Sequence, residues 1–173
     1  GFGLYGEFRS TELDRELEMI ELNVKALHIL TKLFLQDFVK KDAGYILNVA
    51  SSAGLLPGGP YLSTYYATKA YVTSLTLAIA QELKSINSKV YIGALCPGPV
   101  KTEFNKVANT EFAISGITAE ECAKYTLKKM QKGKTIIVPA FIMKFVVFAA
   151  RFLPRATYVE LTAKQQKRRR GEK

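Results

Sequence analysis

The sequence predicts an α/β fold in which a parallel sheet is covered by helices on both faces. Three observations predict it. The runs "YILNVAS", "KVYIGALCP" and "TIIVPA" are short, apolar and rich in β-branched residues without polar alternation, the pattern of buried strands. Helix-period segments precede the first run and separate each run from the next, and strands alternating with helices build parallel sheets. The first two runs end in the turn-formers "SSAG" and "PGP", at the strand ends where open α/β sheets bind their ligands.

Taken in order, the chain opens with "GFGLYGEF", whose first six residues spell G-x-G-x-x-G, the glycine pattern of a phosphate-binding loop. That pattern works only between a strand and a helix that opens directly onto the phosphate. No strand-like run stands before Gly1 in this sequence, and helix signals begin only at Ser10 and Thr11. The segment therefore reads as a glycine-rich surface turn.

From residue 11 to about 41 the apolar residues Leu13, Leu17, Ile20, Val24, Leu27, Phe34 and Phe38 recur at steps of four and three, with Thr31 filling the one gap. This predicts one long amphipathic helix. Thr11 and Asp14 are placed as a capping pair at its start, and "KKDAG" supplies terminal cations and Gly44 at its end. The strand "YILNVAS" and the turn-rich loop "SAGLLPGGPYLST" follow. Residues 65 to 83 are apolar on several faces, as a helix packed on a sheet and on a neighbour would be. The strand "KVYIGALCP" is stopped by Pro97, Gly98 and Pro99. After an irregular segment, "TAEECAKYTLKKMQKG" is a capped amphipathic helix and "TIIVPA" a third strand.

The stretch "AFIMKFVVFAARFLP" is largely apolar but interrupted by Lys144 and Arg151, and it is too short to span a bilayer. A buried, interfacial or substrate-facing helix is expected there. Residues 155–173 form a basic tail read as solvated and flexible.

At 173 residues, 48% of them hydrophobic, the chain is long enough for one ordinary domain, 1–173, with a real core. Cys96 and Cys122 lie one in a strand-like run and one in a helix-like run, which fits buried thiols of a reducing compartment. A cytoplasmic setting is expected, since the glycine-rich, acidic start lacks the pattern of a signal peptide. The net charge of +10 is concentrated late, with a net +6 from Arg151 onward. That tail has no interleaved aromatic residues to stack bases, so nucleic acid is not the expected partner, whereas peripheral contact with anionic lipid is admitted. The lone His28 lies among helix residues and reads as a packing or surface histidine, and no metal is expected.

The chemistry is concentrated in "NVASSAGLLPGGPYLSTYYATKAYV". Tyr65 and Lys69 stand four apart, which puts phenol and ammonium on one helix face. An ammonium beside a phenol favours the phenolate, so Tyr65 is a candidate for proton exchange near neutrality. Tyr66 has Ala70 at the corresponding position and lacks such a partner. Ser52, thirteen residues before Tyr65 at a strand end, is placed to meet the Tyr65 hydroxyl across a cleft.

With "NVASS", "YYATK", "PGPVKT" and "IELNVKAL" together, the sequence closely resembles the classical short-chain dehydrogenase/reductase family, through essentially the whole chain up to about Ala140. The resemblance implies a Rossmann-like doubly wound parallel sheet, of which this sequence supplies the second half only. It implies that Tyr65 is the general acid/base, that Lys69 lowers the Tyr65 pKa and holds the nicotinamide ribose, and that Ser52 binds the reacting oxygen. It implies that Asn23 holds a water linking Lys69 to solvent, and that Pro97, Gly98, Val100 and Thr102 line the nicotinamide of NAD or NADP. Gly1 resembles the last residue of the family's Asn-Asn-Ala-Gly strand end, which makes the G-x-G-x-x-G match accidental. The implied activity is interconversion of a carbonyl and a secondary alcohol, on a hydrophobic substrate such as an acyl chain or steroid, by a homodimer or tetramer. The half that would bind adenosine and pyrophosphate is not in this sequence, so a portion of a longer enzyme is expected. The readings that compete with an enzyme are an inactive interaction module and a membrane-surface protein.

Overall fold

The computed structural model describes residues 1–101 and 116–169. Thr102, one of the expected nicotinamide contacts, lies outside the described residues.

The predicted first helix is one continuous rod, but it changes pitch halfway. Helix α1 (Leu13–Ile20) passes into a π-helical segment (Glu21–Ala26) and then into α2 (Leu27–Lys41), with right-handed helical dihedrals across both junctions. The expected Thr11 and Asp14 cap is not formed. The N-cap residue is Glu12 with no side-chain cap bond, and the Thr11 hydroxyl turns instead to the carboxylate of the buried Glu16. The other oxygen of Glu16 accepts from Thr64 Oγ1 at 2.7 Å, tying the rod to the next long helix. The rod ends at Asp42 in the left-handed region, with φ 45° and ψ 37°. Gly44 follows at φ +153°, where an added Cβ would meet the Phe38 ring at 2.2 Å, so only glycine fits there.

Strands β1 (Tyr45–Val49), β2 (Tyr91–Leu95) and β5 (Ile136–Ile137) form a parallel sheet in the order β1-β2-β5. Asn48 lies opposite Ala94, and Ala94 opposite Ile136. Strands β3 (Val100–Lys101) and β4 (Ile117–Thr118) make a separate parallel pair inside the segment expected to be irregular. In the central β2 the consecutive residues Ile92, Gly93 and Ala94 are all buried, so both faces of that strand are covered. Strand β1 departs from the expected fully buried pattern. Ile46 and Asn48 are buried, whereas Tyr45 and Val49 are exposed, because β1 is the sheet edge among the described residues and only one of its faces is packed.

Helix α3 (Ser63–Ser85) lies on the packed face. Its Val72, Ile79 and Leu83 fill the core with Ile46, Val90, Ile92 and Ala94, while Leu35 and Phe38 close it from α2. Asn48 is satisfied inside this core by Thr31 Oγ1 at 3.1 Å and Thr76 Oγ1 at 3.0 Å, a buried polar clasp joining α2, β1 and α3.

Helix α4 (Ala119–Met130) starts with a full capping box between Thr118 and Glu121. Helix α5 (Phe141–Ala149) buries Met143 and Val147. Residues 155–169, read from sequence as part of a solvated tail, instead form helix α6 (Arg155–Arg169). Its Thr162 and Gln166 are buried four residues apart, so one face of the basic segment packs on the body of the protein. Among the described residues no helix is long and apolar enough to cross a membrane.

Candidate active site

The site forms where β1 and β2 end. Backbone at Ala50 and Ser52 continues the pairing past the strands, with Ala50 N–H donating to Leu95 O and Ser52 N–H to Pro97 O, both at 2.8 Å. The chain then folds into a 3-10 turn (Ser52–Leu55) pressed against α3. Gly54 permits that approach, since a Cβ there would meet the Lys69 carbonyl oxygen at 2.3 Å. This contact sets the strand end against the first turns of α3, where Tyr65 and Lys69 sit.

Ser51 is the residue that sequence reasoning missed. Its hydroxyl is hydrogen-bonded to Tyr65 and also accepts from Ala53 N–H at 3.1 Å, as the cap of the 3-10 turn. The expected partner, Ser52, is buried in the cavity wall one residue later. The sequence signal for Ser51 was its position as the last extended residue before the turn, which counting back from Tyr65 does not reveal.

Lys69 is 7% exposed and donates to Val49 O at 3.0 Å, with Nζ 5.7 Å from the centre of the Tyr65 ring. Burial lowers its pKa to about 8. The net position of the Tyr65 phenol is above its ordinary value rather than near neutrality. Burial raises the phenol above its ordinary value, and the Ser51 hydrogen bond opposes that shift without reversing it. The ammonium lies over the ring and bonds a backbone carbonyl, so desolvation outweighs it.

Asn23 is buried at the centre of the π segment, with both its amide oxygen and its amide nitrogen hydrogen-bonded. Oδ1 accepts from Phe2 N–H at 3.1 Å, and Nδ2 donates to Phe2 O at 2.9 Å and Thr68 Oγ1 at 3.2 Å. The side chain expected to hold a water also staples the opening loop to α3. The glycine pattern of that loop is likewise committed to protein, with Gly6 N–H donating to Tyr61 O at 2.9 Å.

Ser51, Ser52, Tyr65, Lys69, Pro97, Gly98 and Val100 all line one cavity of about 460 Å³, so the described members of the expected set converge, with Asn23 behind the wall. Leu62, Met143 and Val146 make much of the remaining surface apolar, and α6 contributes Tyr158, Thr162 and Gln166. Gln166 Oε1 is buried and has no hydrogen-bond partner among the described residues. Two groups fit a nicotinamide nucleotide. Among the described residues Lys69 Nζ makes one hydrogen bond although an ammonium has three N–H donors, and the Pro97 to Val100 turn borders the cavity beside it.

The short chain dehydrogenase family model matches residues 1–112. The chain is 32% identical over 120 residues to 17-beta-hydroxysteroid dehydrogenase type 3 of Homo sapiens, covering 69% of this chain and 37% of that protein. It is 33% identical over 97 residues to the very-long-chain 3-oxoacyl-CoA reductase of Rattus norvegicus, covering 56% and 30%. A solved short-chain dehydrogenase from Sphingobium yanoikuyae, in complex with NADPH, has the same fold, with a TM-score of 0.74 at 24% identity over 87% of this chain and 60% of that one. The chain thus spans about a third of the length of the curated relatives it matches. The family match runs through the rod, both long strands and the turn that closes the cavity, and the chain belongs to the short-chain dehydrogenase family.

Proposed function

We propose that the protein carrying this chain is an NAD- or NADP-dependent oxidoreductase that interconverts a carbonyl and a secondary alcohol. The observation that carries the reading is the meeting of Ser51, Tyr65 and Lys69 at a cavity that Leu62, Met143 and Val146 make apolar in large part. Lys69 would hold the nicotinamide ribose, with Pro97, Gly98, Val100 and Thr102 along the ring; when bound, the cofactor supplies or accepts the hydride.

The chain's own residues manage the oxygen and its proton. Because burial keeps Tyr65 protonated at neutral pH, its O–H is available to donate to a substrate carbonyl, and Ser51 adds a second donor to the same oxygen. As charge develops there, Tyr65 gives up its proton, and the nearby Lys69 ammonium stabilises the phenolate left behind. Leu62, Met143 and Val146 keep water from competing for that oxygen. Asn23 acts indirectly, fixing Thr68 and therefore the turn of α3 that carries Lys69.

The apolar walls suit an acyl chain or a steroid-like ring system, the substrate types in the names of the relatives above. The unpartnered Gln166 Oε1 suits one hydrogen-bond donor on that substrate, away from the reacting carbonyl. Exposed Leu17, Leu30, Leu33 and Phe34 along the rod support pairing of two copies, and the free buried cysteines support a reducing compartment.

The reading is tested by titrating NADH and NADPH against the full-length protein and measuring carbonyl reduction. Tyr65→Phe is expected to lower turnover at least about a hundredfold while leaving cofactor affinity within about threefold. Failure of the wild-type protein to bind either cofactor would refute it.

A further inference from the structure

We propose that α5 docks the protein on an anionic lipid surface, with an outward stripe of phenylalanines entering the interface and flanking cations meeting the headgroups. The helix has two apolar faces. Met143, Val147 and Ala150 are buried against the body of the protein. Phe141, Phe145 and Phe148, with Phe152 in the turn that follows, are 81%, 63%, 57% and 74% exposed. The spacing of Phe141, Phe145 and Phe148 confines these three to an arc of about 60° at 3.6 residues per turn, opposite the buried face. Phe148 and Phe152 already stack edge to face at 5.1 Å, so the stripe is contiguous. An exposed apolar patch of this kind on a protein surface marks an interaction site.

Charge selects the occupant. Between Glu121 and Glu160 there is no acidic residue, while Lys124, Lys128, Lys129, Lys132, Lys134, Lys144, Arg151 and Arg155 fall in that interval. The α4 cations join the α5 flank in space, because Lys144 Nζ donates to Tyr125 OH at 2.6 Å and Lys129 Nζ lies 5.2 Å from the same ring's centre. A second copy is disfavoured, since symmetric pairing would bring like cations together with no carboxylate to answer them. Helix α5 has nine residues, so it lies on a membrane rather than crossing it. The inference holds whatever the cavity binds, and its readout is independent of catalysis.

The test is flotation of the full-length protein with vesicles of phosphatidylcholine alone and of phosphatidylcholine mixed with phosphatidylserine. Binding to the mixed vesicles, weakening with salt, is expected. Phe145→Ser with Phe152→Ser, and separately Lys144→Glu with Arg151→Glu, should each lower that affinity at least about tenfold. All four side chains are exposed, and an unchanged melting temperature confirms that the variants fold. Absence of vesicle binding, equal binding to both compositions, or unaltered binding by either variant pair would overturn the proposal. So would self-association in light scattering that the phenylalanine variants abolish while wild-type protein ignores vesicles.

Discussion

Ser51 stands in extended backbone, φ −170° and ψ 160°, at the point where β1 gives way to the 3-10 turn. Its hydroxyl is hydrogen-bonded to Tyr65, and Ser52, the first residue of the turn, lines the same cavity. Ser51→Ala is therefore expected to lower kcat/KM for carbonyl reduction by about a hundredfold, the usual loss when one donor to a developing oxyanion is removed. Ser52→Ala should cost less than about tenfold. Kinetics of the two variants side by side check this, and a larger loss at Ser52 would contradict it. Tyr65 and Lys69 were legible in the sequence because their spacing is a property of one helix. The part of Ser51 was not, since the contact of that neighbour with the phenol depends on a turn packed against α3.

Lys69 also makes a prediction about stability. Its folded pKa of about 8 lies below the ordinary lysine value of 10.5, so between those values the unfolded chain binds the extra proton. Stability then rises with pH across that window, and the cost of burying the charge is present in full below about 8. The full shift corresponds to about 3 kcal/mol. Thermal melts of the wild-type protein should move upward from pH 7.5 to 9.5, below the range where Tyr65 titrates, and Lys69→Met should flatten that rise. A wild-type melting temperature falling over the same range would contradict the assignment.

At the scale of elements, the π segment is the device that brings Asn23 to the site. A π turn adds a residue to the helical repeat and is enriched at functional positions, and this one is centred where the rod passes the opening loop and α3. The steps of three and four apolar residues continue through it, which is why the sequence read as one uniform helix. Removing the amide in Asn23→Ala leaves the Phe2 N–H, the Phe2 carbonyl and the Thr68 hydroxyl without it, at about 1–3 kcal/mol per orphaned buried group. Denaturant melts should show a loss of at least about 2 kcal/mol, with kcat falling more than cofactor affinity. A neutral effect on both would remove Asn23 from the account. The capping box at Thr118 was readable because Thr and Glu three apart satisfy a purely local rule. Helix α6 was hidden because its buried face is made of Thr162 and Gln166, so no apolar stripe marked it among the cations.

At the scale of the whole molecule, three parallel strands with helices against them place the ends of β1 and β2 at one cavity, as ligand sites in open α/β sheets are placed. The order of the three sheet strands and of the helices between them was legible from periodicity, whereas the β3–β4 pair and α6 were not. The exposure of Tyr45 and Val49 was not, because an apolar strand reads the same whether its outer face is packed or bare. The cavity joins contributions from β1, β2, α3, α5 and α6, distant in sequence and brought together only by folding. Ser51, Ser52, Tyr65 and Lys69 lie where the strands end, Leu62, Met143 and Val146 supply apolar surface, and α6 adds the polar Thr162 and Gln166.

The most direct test follows the transferred hydrogen itself. The full-length protein would be given a hydrophobic ketone or 3-oxoacyl thioester with NADH or NADPH deuterated on the nicotinamide C4, and the product examined by mass spectrometry and NMR. The account predicts one deuterium on the new carbinol carbon, with the signal lost in Tyr65→Phe although the cofactor still binds. Cofactor oxidation that leaves no deuterium in the product, or transfer undiminished in Tyr65→Phe, would contradict it.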